Sequence, residues 1–115
     1  MPRSWTVRIQ DALDAIQDVH DDTDGLSLER FAADQRRVRS VAFSLVLLGE
    51  ACRAVPQHIQ QRAPTVPWAL VRGMRNRIVH EYFVLDAEIL WDTATVDLPM
   101  LEEPLRHLLA SEPST

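Results

Sequence analysis

At 115 residues the chain has the size of one domain, and with 46% apolar residues it can bury one core, which excludes a disordered tail and a miniature disulfide-stapled scaffold. Cys52 is the only cysteine, so no internal disulfide is possible, and the start MPRSWTVRIQ has no apolar run that could serve as a signal peptide, so a soluble cytoplasmic protein is expected. The net charge of −5, taken alone, argues against a nucleic-acid partner.

Trp5, Ile9, Ala12, Leu13, Ile16 and Val19 recur at helical steps with Asp11, Asp14, Gln17 and Asp18 between them, which predicts a first amphipathic helix from about Ser4 to about His20. The run DDTDG is expected to stop it. Asp22, Asp24 and Gly25 match part of an EF-hand loop, but His20 would stand at the first ligand position and Phe31 where a bidentate Glu is needed. The run therefore reads as an acidic turn with Gly25 near the helix C-terminus.

A second helix is expected from Leu28, with Ser27 as N-cap, carrying Phe31, Val38, Val41, Leu45, Leu48, Cys52 and Val55 on one stripe. Ala42, Val46 and Gly49 form a second apolar stripe beside it, so this helix should be buried on more than one side, the second side being assigned to a partner chain. Its run VAFSLVLLG is about half the ~18 residues that span a bilayer, hence core and not anchor. Pro56, Pro64 and Pro67 bracket a connecting segment, and Pro67 suits the first turn of a third helix running through Trp68 to about Tyr82. Asp86 is the expected N-cap of a fourth helix carrying Ile89, Leu90, Ala94 and Val96. The run DLP (Asp97 to Pro99) should end that helix and open a fifth, within which Pro104 should kink or delay the chain. No stretch alternates with period two. The fold is thus expected to be all-α, a four- to five-helix up-and-down bundle over residues 1–110 with a frayed tail at 111–115.

The charge is polarised. From Ala51 to His80 there is no Asp or Glu, while Arg53, Arg62, Arg72, Arg75 and Arg77 all fall there, giving +5 for that window and −10 for the remainder. Guanidinium groups recognise phosphate in a fork geometry, so the window reads either as an anion-binding surface or as a chance cluster on a solvated face. Within it lies MRNRIVHEYF. On a helical wheel of about 100° per residue, Val71, Met74, Ile78 and Tyr82 share the packing face, while Asn76 and His80, four apart, lie with Gly73 on nearly the opposite side. Arg75 sits at the margin of the apolar face, with Arg72 one turn before Asn76. With Arg75 wrapping toward the polar side, these groups would present guanidinium, amide and imidazole to one phosphate-sized site, and Gly73 would let another backbone approach. The alternative for His80 is an ordinary exposed histidine.

RNRIVHEYF resembles the arginine, spacer, histidine motif of the HEPN superfamily, and Arg75, Asn76, His80 and Tyr82 fit its HepT-like ribonuclease-toxin branch. LLGEACRAVP is similar to that family's Gly-Glu-Ala helix end, VPWALVRGMRNRIVHEYF to its tryptophan-led motif helix and DAEILWDTATVDLPML to the helix that follows. The resemblance implies a HEPN-like helical bundle that dimerises around the motif helix. It further implies a metal-independent endoribonuclease, the toxin of a type VII toxin–antitoxin pair, whose partner is a nucleotidyltransferase antitoxin of the MntA kind that adenylylates Tyr82.

The chemistry can be read beside the resemblance. Cleaving RNA without a metal needs a base for the 2′-hydroxyl proton, a cation over the phosphate and an acid for the leaving oxygen. His80 supplies the proton-transfer group, Arg75 the charge, and Asn76 an orienting or phosphate-donating amide, with Arg72 and Arg77 as RNA phosphate contacts. A symmetric dimer, alone or within a higher even-numbered oligomer, would bring a second His80 as acid. No cofactor, metal, DNA or membrane is expected. The alternative is a non-catalytic dimeric module that docks a nucleotidyltransferase and binds nucleotide or phosphate. Tyr82 also keeps a structural reading, as a residue that closes the core with its hydroxyl at the surface.

Overall fold

The computed structural model describes residues 4–81 and 86–112. These residues form helices and turns, with no strand among them. Helix α1 (Trp5–Thr23) buries Ile9, Ala12, Leu13, Ile16 and Val19 on one face. It runs three residues beyond His20, so DDTDG stops it only partway. Thr23 is buried and its hydroxyl donates to the Val19 carbonyl at 2.9 Å, which satisfies a polar side chain inside the last turn. The chain then reverses at Gly25, where φ is +73°, a conformation that favours glycine.

The expected second helix is two. Ser27 caps α2 (Leu28–Ala33) by accepting from the Arg30 N–H at 3.2 Å, and Asp34 then breaks the run and caps α3 (Gln35–Arg53) by accepting from the Arg37 N–H at 3.2 Å. A short acidic side chain that can take a backbone N–H offers the chain an alternative to helix, and Asp34 adopts it in an extended conformation. The break lets α2 turn aside, so that fully buried Phe31 meets Trp91 with ring centroids 5.4 Å apart.

A short helix α4 (Gln57–Gln60) lies in the proline-bracketed connection, and α5 (Trp68–Glu81) follows. The Trp68 indole donates to the carbonyls of Gln60 and Ala63, both at 3.1 Å, which fixes the start of α5. Asp86 caps α6 (Ala87–Asp92) through the Glu88 N–H at 2.9 Å. The run DLP does not end this helix. A π-helical turn (Thr93–Asp97) carries the chain directly into α7 (Leu98–Ala110). Pro99 has no N–H for the carbonyl four residues before it, and a wider turn immediately upstream accommodates that loss. Pro104 lies inside α7 without ending it.

Laterally the order is α5, α3, α1, α7: α3 packs on both α1 and α5, and α1 on α7. Val41, Leu45, Leu48 and Cys52 of α3 enter the main core, while Ala42 and Gly49 are buried. The second apolar stripe of α3 is therefore met in part by α5 of the same chain, with Val46 left half-buried. Beyond it Phe43 remains 63% exposed and Leu47 43% exposed. Among the described residues no helix is long and apolar enough to cross a membrane.

Two expectations follow. A Cβ at Gly49 would collide with Cβ and Cγ of Arg75 and stand 3.5 Å from its Cα, so Gly49→Ala must push α5 away; a loss of about 1–3 kcal/mol is expected, read as a lower Tm by circular dichroism. Burial pushes the Cys52 thiol up to about 12 from 9.0, so the native protein should not react with a thiol reagent at pH 8 until denaturant is added. Because the folded pKa is the higher one, the unfolded chain ionises first, and this residue's contribution to stability falls as pH rises from about 9 toward about 12.

Candidate active site

The motif lies on α5, whose inner face is set by buried Val71 and Ile78 and half-buried Met74. This leaves Arg72, Asn76, Arg77 and His80 exposed, with Asn76 and His80 one turn apart. Gly73 faces open space. Tyr82 lies outside the described residues.

Arg75 differs from its neighbours. Its stem passes over Gly49 of α3, where the missing side chain leaves room for Cβ and Cγ. Its head lies between the two helices, with 23% of the side chain exposed. One terminal nitrogen contacts Glu50 Oε1 at 2.5 Å, and the other donates to Asn76 Oδ1 at 2.9 Å. Nε is buried and has no hydrogen-bond partner among the described residues. Each terminal nitrogen keeps one further N–H, and the Asn76 amide N–H groups remain available, so the site offers donors to an anion. The Glu50 carboxylate is 44% exposed, and so solvated a pair contributes about 0–1 kcal/mol at most; it holds a side chain in place more than it holds the fold together.

The acid-free window takes on a definite shape. It is bounded in sequence by Glu50 and Glu81, and these two acids pair with its arginines: Glu50 with Arg75, and Glu81 with Arg77 Nε at 3.1 Å. Arg62 is occupied elsewhere, 5.4 Å from the Trp5 ring centroid and donating to Ser111 Oγ at 2.9 Å. Arg53 and Arg72 are exposed. Of the arginines expected to contact RNA, Arg72 thus stands open and Arg77 is tied along its own helix. Sequence reasoning misses Gly49 and Glu50 as parts of the site. The available signals are the Gly-Glu-Ala resemblance at that helix end and the place of both residues at the edge of the window.

Beside the motif, Arg39, Ala42, Phe43 and Val46 of α3 and Ile78 and Val79 of α5 line a shallow groove of about 280 Å³. Phe43 and Val79, the latter 46% exposed, leave apolar surface next to the polar set. No group of three or more His, Cys, Asp or Glu able to hold a metal ion occurs among the described residues.

This arrangement can be set beside known proteins. The family model described as Ribonuclease HepT-like matches residues 10–108. A protein of Caldanaerobacter subterraneus named as a candidate RNase is 34% identical over 88 residues, 76% of this chain and 79% of its own length. The "Probable ribonuclease HepT" of Thermococcus cleftensis is 30% identical over 108 residues, 94% of this chain and 98% of its own. No solved structure gives a significant match. A match that takes in α3, the α5 motif helix and nearly all of α7, joined to a relative that aligns almost end to end, places the chain in the HepT-like ribonuclease family.

Proposed function

We propose that the protein is a metal-independent endoribonuclease of toxin type, with Arg75, Asn76 and His80 acting on the scissile phosphate. The observation that carries this reading is the joint one on α5: an arginine fixed at the helix–helix seam, its amide neighbour Asn76, and an exposed histidine one turn on. In the proposed step His80 takes the 2′-hydroxyl proton, the 2′-oxygen attacks phosphorus, and the bond to the 5′-oxygen breaks. The leaving oxygen takes a proton from an acid, and the products are a 2′,3′-cyclic phosphate and a 5′-hydroxyl. Arg75 and the Asn76 amide stabilise the charge that builds on the phosphate oxygens, and Arg72 and Arg77 meet flanking phosphates.

The acid is His80 of a second copy. The exposed Phe43, Leu47 and Val79 beside the motif support an apolar contact there, which in a two-fold dimer would bring two motifs together. A nucleotidyltransferase antitoxin of the MntA kind would adenylylate Tyr82, adding a bulky anion that competes with RNA for the arginines. The pair would act in the cytoplasm, and residues 1–110 would fold as one domain.

One observation favours the non-catalytic module. The Arg75 guanidinium is already engaged by Glu50 and Asn76, as a purely structural pair would be. Activity separates the two. Purified protein is expected to cleave single-stranded RNA in EDTA; His80→Ala should abolish cleavage, and Arg75→Ala should lower the rate ~10²-fold or more. Full activity in His80→Ala would refute the role of His80 in catalysis, and a wild type that cleaves no RNA would leave only the docking module. Co-expression with a cognate nucleotidyltransferase should add adenylate-sized mass to the wild type and none to Tyr82→Phe, as read by intact-mass spectrometry.

A further inference from the structure

Arg75 is the side chain on which charge stabilisation depends, yet its own helix does not orient it. On the wheel it points at the margin of the packing face, toward α3. Three features of the seam then fix it. Gly49 accepts the stem: Cβ and Cγ of Arg75 occupy the space that a side chain at position 49 would fill. Among the described residues the buried Nε has no hydrogen-bond partner, and the contacts that hold the guanidinium there are made by its terminal nitrogens. Those two nitrogens are caught from either side, by Glu50 of α3 and by Asn76 of α5. Asn76 shares the arginine's helix and moves with it, whereas Glu50 is anchored on the neighbouring helix and supplies an external reference.

We infer that Glu50 is a positioning residue for the proposed reaction: its carboxylate, reaching across the α3–α5 seam, holds the Arg75 guanidinium so that its remaining N–H groups face the RNA phosphate. The inference rests on the proposed function for its kinetic consequence, not for its geometry. Glu50 engages Arg75 through one oxygen, in place of the two-pronged pairing that would consume the fork, so the arginine is held but not used up. The half-solvated pair adds little to folding stability, so its removal should change the reaction far more than the fold.

Two measurements test this. In steady-state cleavage, Glu50→Ala should lose about ten- to hundredfold in kcat with KM within about twofold, since misplacing a group that acts in the transition state costs turnover more than binding. Glu50→Gln, which keeps the volume and an acceptor oxygen at the same place, should recover part of the loss. In nitrogen-15 spectra of arginine-labelled protein, Arg75, assigned by the signal lost in Arg75→Lys, should give separate terminal-nitrogen resonances in wild type. These should merge in Glu50→Ala as rotation about the Nε–Cζ bond is freed. A kcat within twofold of wild type in Glu50→Ala, a loss confined to KM, or unchanged Arg75 resonances would each overturn the role. If Glu50→Ala does not fold, the isosteric Glu50→Gln decides by the same readings: some loss of kcat and partial merging support the role, and wild-type values for both refute it. A wild-type protein that cleaves no RNA would instead refute the proposed function, while the spectra still report whether Glu50 holds Arg75.

Discussion

The site depends on how closely α5 approaches α3, and that approach is set at one place, where the Arg75 stem crosses Gly49. Any side chain on α3 at that position would displace the seam outward and carry the motif with it. The contact also decides which side of α5 is available. With Val71 and Ile78 turned in and Arg75 wedged over the glycine, Asn76 and His80 are left in solvent on the far side of the same turn. Packing and chemistry thus meet at one residue of α3, the helix beside the motif helix.

Around that seam the charges are arranged as closely as the atoms. A net acidic protein concentrates cations along one stretch, then takes its two bordering acids to restrain two of them. An unrestrained arginine carries four rotatable bonds and would lose that freedom only on meeting a ligand. A paired one has lost much of it already. Glu81 restrains Arg77 along a single helix, which fixes a side chain locally, whereas Glu50 restrains Arg75 between helices, which ties it to the tertiary fold. The same ion pair thus means different things in the two settings.

Much of this was legible in the sequence, and the failures share a cause. The spacing of Ile9, Leu13 and Ile16, the caps Ser27 and Asp86, and the polar side of the motif helix are local signals, and the structure reproduces them. Asp34 gives no local sign of a break because the apolar stripe continues on both sides of it; the break goes with the docking of Phe31 against Trp91. A wheel shows that the second stripe of α3 is apolar without showing what meets it, and α5 of the same chain takes part of it. Gly73 attracted notice for its place in the motif, yet it faces open space, while Gly49 makes the close contact. Partners across a seam, Glu50 to Arg75 above all, have no sequence period linking them, so helical spacing cannot reveal them.

The π-helical turn between α6 and α7 has its own meaning for the way the chain closes on itself. Leu90, Ala94 and Leu98 are spaced four and four: each such step overshoots a full revolution by about 40° on an ordinary helix and falls short by a similar amount on a wider turn of about four and a half residues, so the two drifts offset and all three stay buried. From Leu98 the tighter winding resumes, and Leu101, Leu105 and Leu108 continue the same inward edge against α1. The turn works as a vernier between two packing partners. Upstream the helix meshes with α2, downstream with α1, and one surplus residue lets both meshes engage.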